Sequence, residues 1–247
     1  KNKSKIDTYK FIQTINYGSS GVIFRYLMND KNYTLKIPFE GEEDTSKTES
    51  TIHYILFHLQ KFVSKKIVPD IEMILMTKNN FYYIMMEKLE FELYYFFEKY
   101  GPLTKIFRLG DNKFKILEFN DNSSKWNFFL ELLYQISDKL ILLQDTFKFM
   151  HNDLKCNNIL VKVKYPDDYQ NEFINVDYLF CDFGGSSCDF QNISYVGTVL
   201  CSNSEYNTKK DLFMLLHMYL AFSPKREQII KFIDRNQIFK LTKNLIS

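Results

Sequence analysis

Residues 151–158 read His-Asn-Asp-Leu-Lys-Cys-Asn-Asn, and an Asp182-Phe183-Gly184 triplet follows downstream. Asp153 offers a carboxylate that can accept the proton of a hydroxyl group. Lys155, two residues on, offers an ammonium that can neutralise a phosphate in motion. Asn158 and Asp182 carry oxygen donors of the kind magnesium takes. Together these four side chains supply what transfer of a phosphoryl group from ATP to a hydroxyl requires. A D-F-G triplet alone arises by chance in any chain. One that follows an apolar strand, downstream of H-x-D-L-K-x-x-N, is far more specific.

Two upstream features belong to the same chemistry. Asn16-Tyr17-Gly18-Ser19-Ser20-Gly21-Val22-Ile23 places glycines where backbone N–H groups could approach phosphates closely. Glycines and serines between two strands also make an ordinary hairpin turn, so this run takes its meaning from its neighbours. Lys36 lies on the following apolar stretch, Tyr33-Thr34-Leu35-Lys36-Ile37. A strand lysine is by default a solvated edge residue.

The elements that must position these groups follow from periodicity. Tyr9–Asn16, Val22–Met28 and Tyr33–Pro38 are rich in aromatic and branched residues and separated by turn residues, which predicts three strands. Ser46–Val63 has apolar residues at helical spacing after an acidic run, which predicts a helix. Ile71–Thr77 and Phe81–Glu87 predict a hairpin around Lys78-Asn79-Asn80. Beyond Leu89 the pattern turns helical: Phe91–Tyr100, stopped by Gly101-Pro102, then Trp126–Phe149, Asp211–Phe222 and Arg226–Ile233. Lys105–Ser124 is polar and Asn-rich and predicts an excursion from the core. Ile159–Val163 and Tyr178–Cys181 predict strands flanking a charged loop.

These motifs, in this order, resemble those of a eukaryotic-type protein kinase over Tyr9 to Ile233. The resemblance implies an α+β, bilobal fold: a small β-rich N-terminal lobe with one main helix over residues 1–89, and a mainly helical, shortened C-terminal lobe over residues 90–247. It implies Mg2+-dependent transfer of the ATP γ-phosphate to Ser/Thr hydroxyls of a protein substrate, with Mn2+ as a possible substitute metal. Asp153, Lys155 and Lys36 would be catalytic, with Lys36 on the α- and β-phosphates, and Asn158 and Asp182 would hold the metal. Gly18, Ser19, Ser20, Gly21 and Ile23 would cover the nucleotide. A carboxylate on the following helix would brace Lys36, with Glu49 the first choice because Ile52 and Leu56 share its helical face, and Glu42 and Glu43 competing. Met86 would guard the rear pocket while the backbone of Glu87 to Leu89 meets adenine, although a plain buried strand fits the same residues. Glu92 could reach the ribose. His151 reads as a packing residue, Asp211 as a support for the catalytic loop, and Gly197-Thr198 as the segment seating the substrate.

The chain departs from the family pattern in several places. Asn16 replaces the first glycine of the loop, and Asn152 replaces the arginine that pairs with a phosphorylated activation loop. That second change implies activity that does not wait for such phosphorylation. No A-P-E follows Gly197. These departures fit a pseudokinase acting as a binding scaffold, and H-x-D with a downstream metal Asp also fits small-molecule kinases of the aminoglycoside or choline type. Lys155 and the D-F-G favour a protein substrate. The stretch Gln144–Val161 and the amino-acid usage resemble kinases of large cytoplasmic DNA viruses, with an AT-rich protist as the competing source.

Composition sets the outer bounds. Hydrophobic residues make up 45% and charged residues 25% of the 247 positions, which is the balance of a folded chain. A net charge of +2 gives no electrostatic reason to expect nucleic acid. No apolar run is long enough to cross a membrane as a helix. No secretory leader opens the chain, which begins at Lys1, and the four cysteines lack metal-ligand spacing and read as reduced thiols of a cytoplasmic protein. Oligomeric state is left open.

Overall fold

The structure is a computed structural model that describes residues 9–18, 20–89, 91–94, 104–108, 114–118, 122–164, 175–197, 206–207 and 209–215. Ser19, Thr198, residues 95–100, the loop at 165–172, the end of the helix expected over 211–222 and all of the one expected over 226–233 lie outside these residues.

Aromatic, branched and other apolar residues recur along β1 (Lys10–Tyr17), β2 (Gly21–Met28), β3 (Lys31–Pro38), β4 (Ile71–Met76) and β5 (Tyr82–Glu87). They pair as one antiparallel sheet in the order β1-β2-β3-β5-β4. The β2–β3 turn is two residues, Asn29 and Asp30, both at positive φ (49° and 60°), the backbone that matches the twist of a tight hairpin. One sheet face carries Tyr9, Tyr33, Leu35 and Met85. Tyr9 packs edge-on to Tyr33 and donates its hydroxyl to Glu72 at 2.8 Å.

Between β3 and β4 runs α1 (Glu43–Val63), which ends at Ser64 in the left-handed conformation, φ 52°. Its buried stripe holds Ile52, Ile55 and Leu56 and also the polar Glu49, His53 and Gln60. Gln60 meets its polar requirement in the segment that follows. Its amide oxygen accepts from Ile67 N and Val68 N at 3.0 and 3.1 Å, and its Nε2 donates to Asp70 at 3.2 Å. The chain forms two compact units, Lys1–Leu89 with Leu179–Asn203 and Glu90–Tyr178 with Ser204–Ser247, so Asp182 shares a unit with Lys36 and Glu49. The first unit also contains the hairpin β11 (Ser187–Phe190) and β12 (Ile193–Val196), which the sequence reading did not anticipate. Its turn, Gln191-Asn192, again has both residues at positive φ (51° and 65°). Gly197 closes the hairpin's base through Gly197 N to Ser186 O at 2.8 Å, and a Cβ there would stand 2.2 Å from the Gly184 carbonyl.

In the second unit, α2 (Asn122–Phe147) starts earlier than expected and buries Leu132, Leu133, Ile136, Leu140 and Leu143. Lys139 is buried on it and donates to the Tyr178 carbonyl at 2.5 Å, while Gln135 donates to that of Val176 at 2.9 Å. A three-stranded sheet runs β10 (Asn175–Phe180), β9 (Ile159–Lys164), β6 (Phe91–Glu92). One expectation is corrected. Phe91 and Glu92 are strand rather than helix, because they pair with Val161 and Leu160; helical backbone begins at residues 93–94. Across the expected excursion, β7 (Thr104–Arg108) and β8 (Phe114–Glu118) form an antiparallel hairpin, each strand holding apolar residues between charged ones. Both units combine helix and strand, an α+β protein. Among the described residues, no helix is long and apolar enough to cross a membrane.

Candidate functional site

Lys36 sits in the middle of β3, with its side chain buried by the sheet and by α1. Its Nζ donates to both oxygens of Glu49, at 2.9 and 2.8 Å, and to Asp182 Oδ1 at 2.8 Å. Glu42 and Glu43, the competitors for Lys36, lie at the start of α1 and are not among its partners. Burial alone would push the ammonium down, but the facing carboxylates of Glu49 and Asp182 more than reverse this and hold it above the usual lysine range. Burial pushes the Glu49 carboxyl up, opposed by Lys36. The lysine is therefore a fixed positive charge beside a carboxylate, Asp182, whose side chain keeps 39% of its exposure. Asp182 stands at φ 63°, in the left-handed region that aspartate and asparagine visit more readily than most residues with side chains.

Strand register places several expected nucleotide contacts on one sheet face. Ile23 pairs with Lys36, Lys36 with Ile84, and Thr34 with Met86; residues directly opposite in antiparallel strands share a face. Of the expected adenine-facing amides, Glu87 N donates to Asp70 O at 2.9 Å and Lys88 N to Asn32 O at 3.0 Å. Leu89 is left as the backbone N–H of this trio that neither strand takes. In the glycine run, Gly18 N donates to Gly21 O at 2.8 Å and Ser20 O accepts from Phe39 N at 3.1 Å, which closes a tight turn.

The two glycines of that turn answer to different constraints. A Cβ on Gly21 would fall 2.4 Å from the Ile37 carbonyl oxygen, so close pairing of β2 with β3 demands glycine there whatever binds. At Gly18 the nearest atom to a Cβ is 3.5 Å away, in ordinary contact. Gly21→Ala is thus expected to lower unfolding stability by about 2 kcal/mol or more. Gly18→Ala is expected to leave the unfolding midpoint nearly unchanged, so any loss of nucleotide affinity in it reports on the loop's approach to phosphate. Urea unfolding of both variants checks this.

One residue of this unit that the sequence reading passed over is His53, one turn beyond Glu49 and fully buried. It could have been found as a polar residue on the buried stripe of α1. Its Nε2 lies 3.0 Å from the Pro69 carbonyl, which can only accept, so Nε2 carries the proton. Its ring meets Phe183 edge-on with centroids 5.5 Å apart. Burial, with help from Lys66 and Lys36 and against the pull of the Pro69 carbonyl and Asp70, lowers its pKa from 6.5 to about 4. The unfolded chain therefore binds more protons between those two values. Stability from this group is complete above pH 6.5 and falls through the window toward pH 4, by about 3 kcal/mol. Urea unfolding of wild type and His53→Leu from pH 7 to 4.5 should show a slope that the variant has lost.

In the second unit, the run at 151–158 turns from Lys155 into a short 3-10 turn at Cys156–Asn158 and then into β9. Lys155 Nζ lies 2.7 Å from Asp153 Oδ2, and Asn158 Nδ2 donates to Asp153 O and Oδ2, both at 2.9 Å. Because Nδ2 is held by Asp153, the amide oxygen of Asn158 faces away from that carboxylate. Asp211 supports the loop from below: its Oδ2 accepts from His151 N at 2.7 Å and its Oδ1 from Asn152 N at 2.8 Å. Asn152 is at φ 65°, a conformation asparagine tolerates well, and its Oδ1 accepts from Lys210 Nζ at 3.1 Å, a link absent from the sequence reading. His151 is fully buried and edge-on to Phe149. Burial pushes the Cys156 thiol up to about 12, which makes it an inert packing group. Glu92, on β6, has its carboxyl raised by burial.

Among the described residues, no group of three His, Cys, Asp or Glu side chains gathers as a metal site. Magnesium bound through nucleotide phosphates needs none, since it keeps water and phosphate oxygens and takes only one or two protein ligands. The half-exposed Asp182 carboxylate in the first unit is a hard oxygen donor of that kind, and so, in the second unit, is the Asn158 amide oxygen. Compared with known proteins, the chain matches no family model and no curated sequence.

Proposed function

We propose that this chain is a protein kinase of bilobal fold that transfers the ATP γ-phosphate to serine or threonine hydroxyls, with magnesium. What supports this most is the Lys36–Glu49–Asp182 constellation. The resemblance to protein kinases implies one phosphate-and-metal role for those three residues, and they meet at 2.8–2.9 Å although Lys36 and Asp182 are 146 positions apart. In this proposal Lys36 neutralises the α- and β-phosphates, and Glu49 fixes its ammonium. Asp153 orients the acceptor hydroxyl and takes its proton as the new oxygen–phosphorus bond forms and the bond to the β-phosphate oxygen breaks. Lys155, beside Asp153, offsets charge on the phosphoryl group in passage. Asp182 and Asn158 would hold magnesium, which when bound neutralises the phosphate oxygens.

The acceptor class is the finer claim. Phosphoamino-acid analysis of protein acceptors incubated with labelled ATP and magnesium, alongside aminoglycoside and choline acceptors, tests it. Phosphoserine and phosphothreonine are expected, and phosphatase-treated enzyme should retain most of its activity because Asn152 cannot pair with a phosphate as arginine does. Predominant phosphotyrosine, or label on the small molecules alone, would overturn the assignment.

A further inference from the structure

The residues leading into Asp153 are gripped one after another from a single stretch of chain in the same unit. Asn207 N donates to Met150 Sδ at 3.2 Å, Asp211 accepts from the N–H groups of His151 and Asn152 at 2.7 and 2.8 Å, and Lys210 Nζ donates to Asn152 Oδ1 at 3.1 Å. Asn207 also starts the helical backbone that carries Lys210 and Asp211. Its Oδ1 accepts from Lys209 N at 2.9 Å and its carbonyl from Lys210 N at 3.2 Å, and helix begins at residue 210. Lys210 and Asp211 therefore leave one helical turn side by side and converge on Asn152, the first on its side chain and the second on its backbone. Asn152 is buried and stands at φ 65°. Asparagine tolerates that conformation without enforcing it, so the turn before Asp153 needs a hold of its own.

We infer that Lys210 is a positioning residue for phosphoryl transfer: it pins the Asn152 side chain and so fixes the left-handed turn from which Asp153 is presented to the acceptor hydroxyl. The inference rests on the kinase reading, in which Asp153 takes that proton. The Asp153 carboxylate is held from its other side, by Lys155 at 2.7 Å and Asn158 at 2.9 Å. Its direction is set between those contacts and the turn at Asn152. Freeing the turn lets the carboxylate drift, and a shift of about 1 Å in a reacting group costs up to about a hundredfold in rate. The role asks for a long N–H donor rather than a net positive patch, so the neighbouring carboxylates of Asp153 and Asp211 do not cancel it. The flexible four-carbon stem of lysine carries that donor from the helix to the loop.

A double-mutant cycle on the full chain tests this, with Lys210→Met, Asn152→Gly and the two combined. Glycine at 152 removes the side chain while accepting the same φ. Lys210→Met should lower kcat about tenfold or more and leave KM for ATP and for the protein acceptor within about twofold. The combined variant should be no slower than the slower single one, because both changes break one contact. Lys210→Arg, which keeps a long donor, should recover most of the loss. Amide exchange over residues 150–153 should quicken in Lys210→Met while thermal unfolding stays close to wild type. The inference is overturned if the two losses multiply, if the acceptor KM rises with kcat retained, or if exchange over 150–153 is unchanged. An active wild type matched by Lys210→Met removes this role alone, whereas a wild type that transfers no phosphate removes the kinase reading and this role with it.

Discussion

Asp182→Asn is expected to reduce phosphoryl transfer about a thousandfold or more, equivalent to about 4 kcal/mol of transition-state stabilisation, while leaving the fold in place. The replacement keeps the shape of the side chain, and asparagine tolerates the φ of 63° found at this position. Lys36 retains both oxygens of Glu49, at 2.9 and 2.8 Å, so the buried ion pair survives. What disappears is the negative charge proposed to hold the metal. The Asp182 side chain is 39% exposed, and solvent screening keeps its own contribution to stability small. Steady-state kcat/KM and thermal unfolding, measured together, separate the two effects. Turnover like that of wild type would remove Asp182 from the metal role.

Lys36→Met acts on both chemistry and stability. It deletes the proposed phosphate contact and leaves the Glu49 carboxyl buried without its ammonium. Breaking a buried pair from one side costs about 3–5 kcal/mol near neutral pH. The penalty depends on pH in a defined direction. Burial already raises Glu49, and without Lys36 nothing opposes it, so the folded-state value lies above the unfolded one. Stability of the variant is then fully present below the unfolded value of about 4.3 and is lost as pH rises through the folded value. Urea unfolding should show a gap between wild type and Lys36→Met that is wider at pH 7.5 than at pH 5. Adding Glu49→Leu should recover much of the stability and none of the activity. A gap equal at both pH values would contradict the burial of an unpaired carboxylate.

How much of this was legible in the sequence differs by element. The five strands of the first sheet and α1 could be read because aromatic and branched residues alternate between strong turn signals, and the helix has a clear apolar stripe. Asp153, Lys155, Asn158 and Asp182 stand out by type and spacing, Lys36 and Glu49 through the resemblance, and the structure brings each set of three together within its own unit. Register did the rest, because placing Lys36 opposite Ile23 and Ile84 fixes which residues share its face. The β11–β12 hairpin escaped notice because Gln191-Asn192 is a weak turn signal beside Asn-Gly or Asp-Gly. The β7–β8 hairpin was hidden by its polar, Asn-rich setting, because each strand is short and lacks clean alternation. Phe91 and Glu92 read as helix because only a partner far along the chain, in β9, makes them a strand. His53 and Gln60 could not be assigned from periodicity, which marks them as buried but does not say which carbonyl or amide they meet.

Label transfer from γ-labelled ATP to protein acceptors by wild type and Asp153→Asn, with and without magnesium, tests most directly the proposal that Asp153 and the residues around it drive phosphoryl transfer. Transfer by wild type that requires magnesium and falls at least about a thousandfold in the variant is the predicted result. Nucleotide binding with no transfer by wild type, or equal transfer by the two proteins, would contradict it.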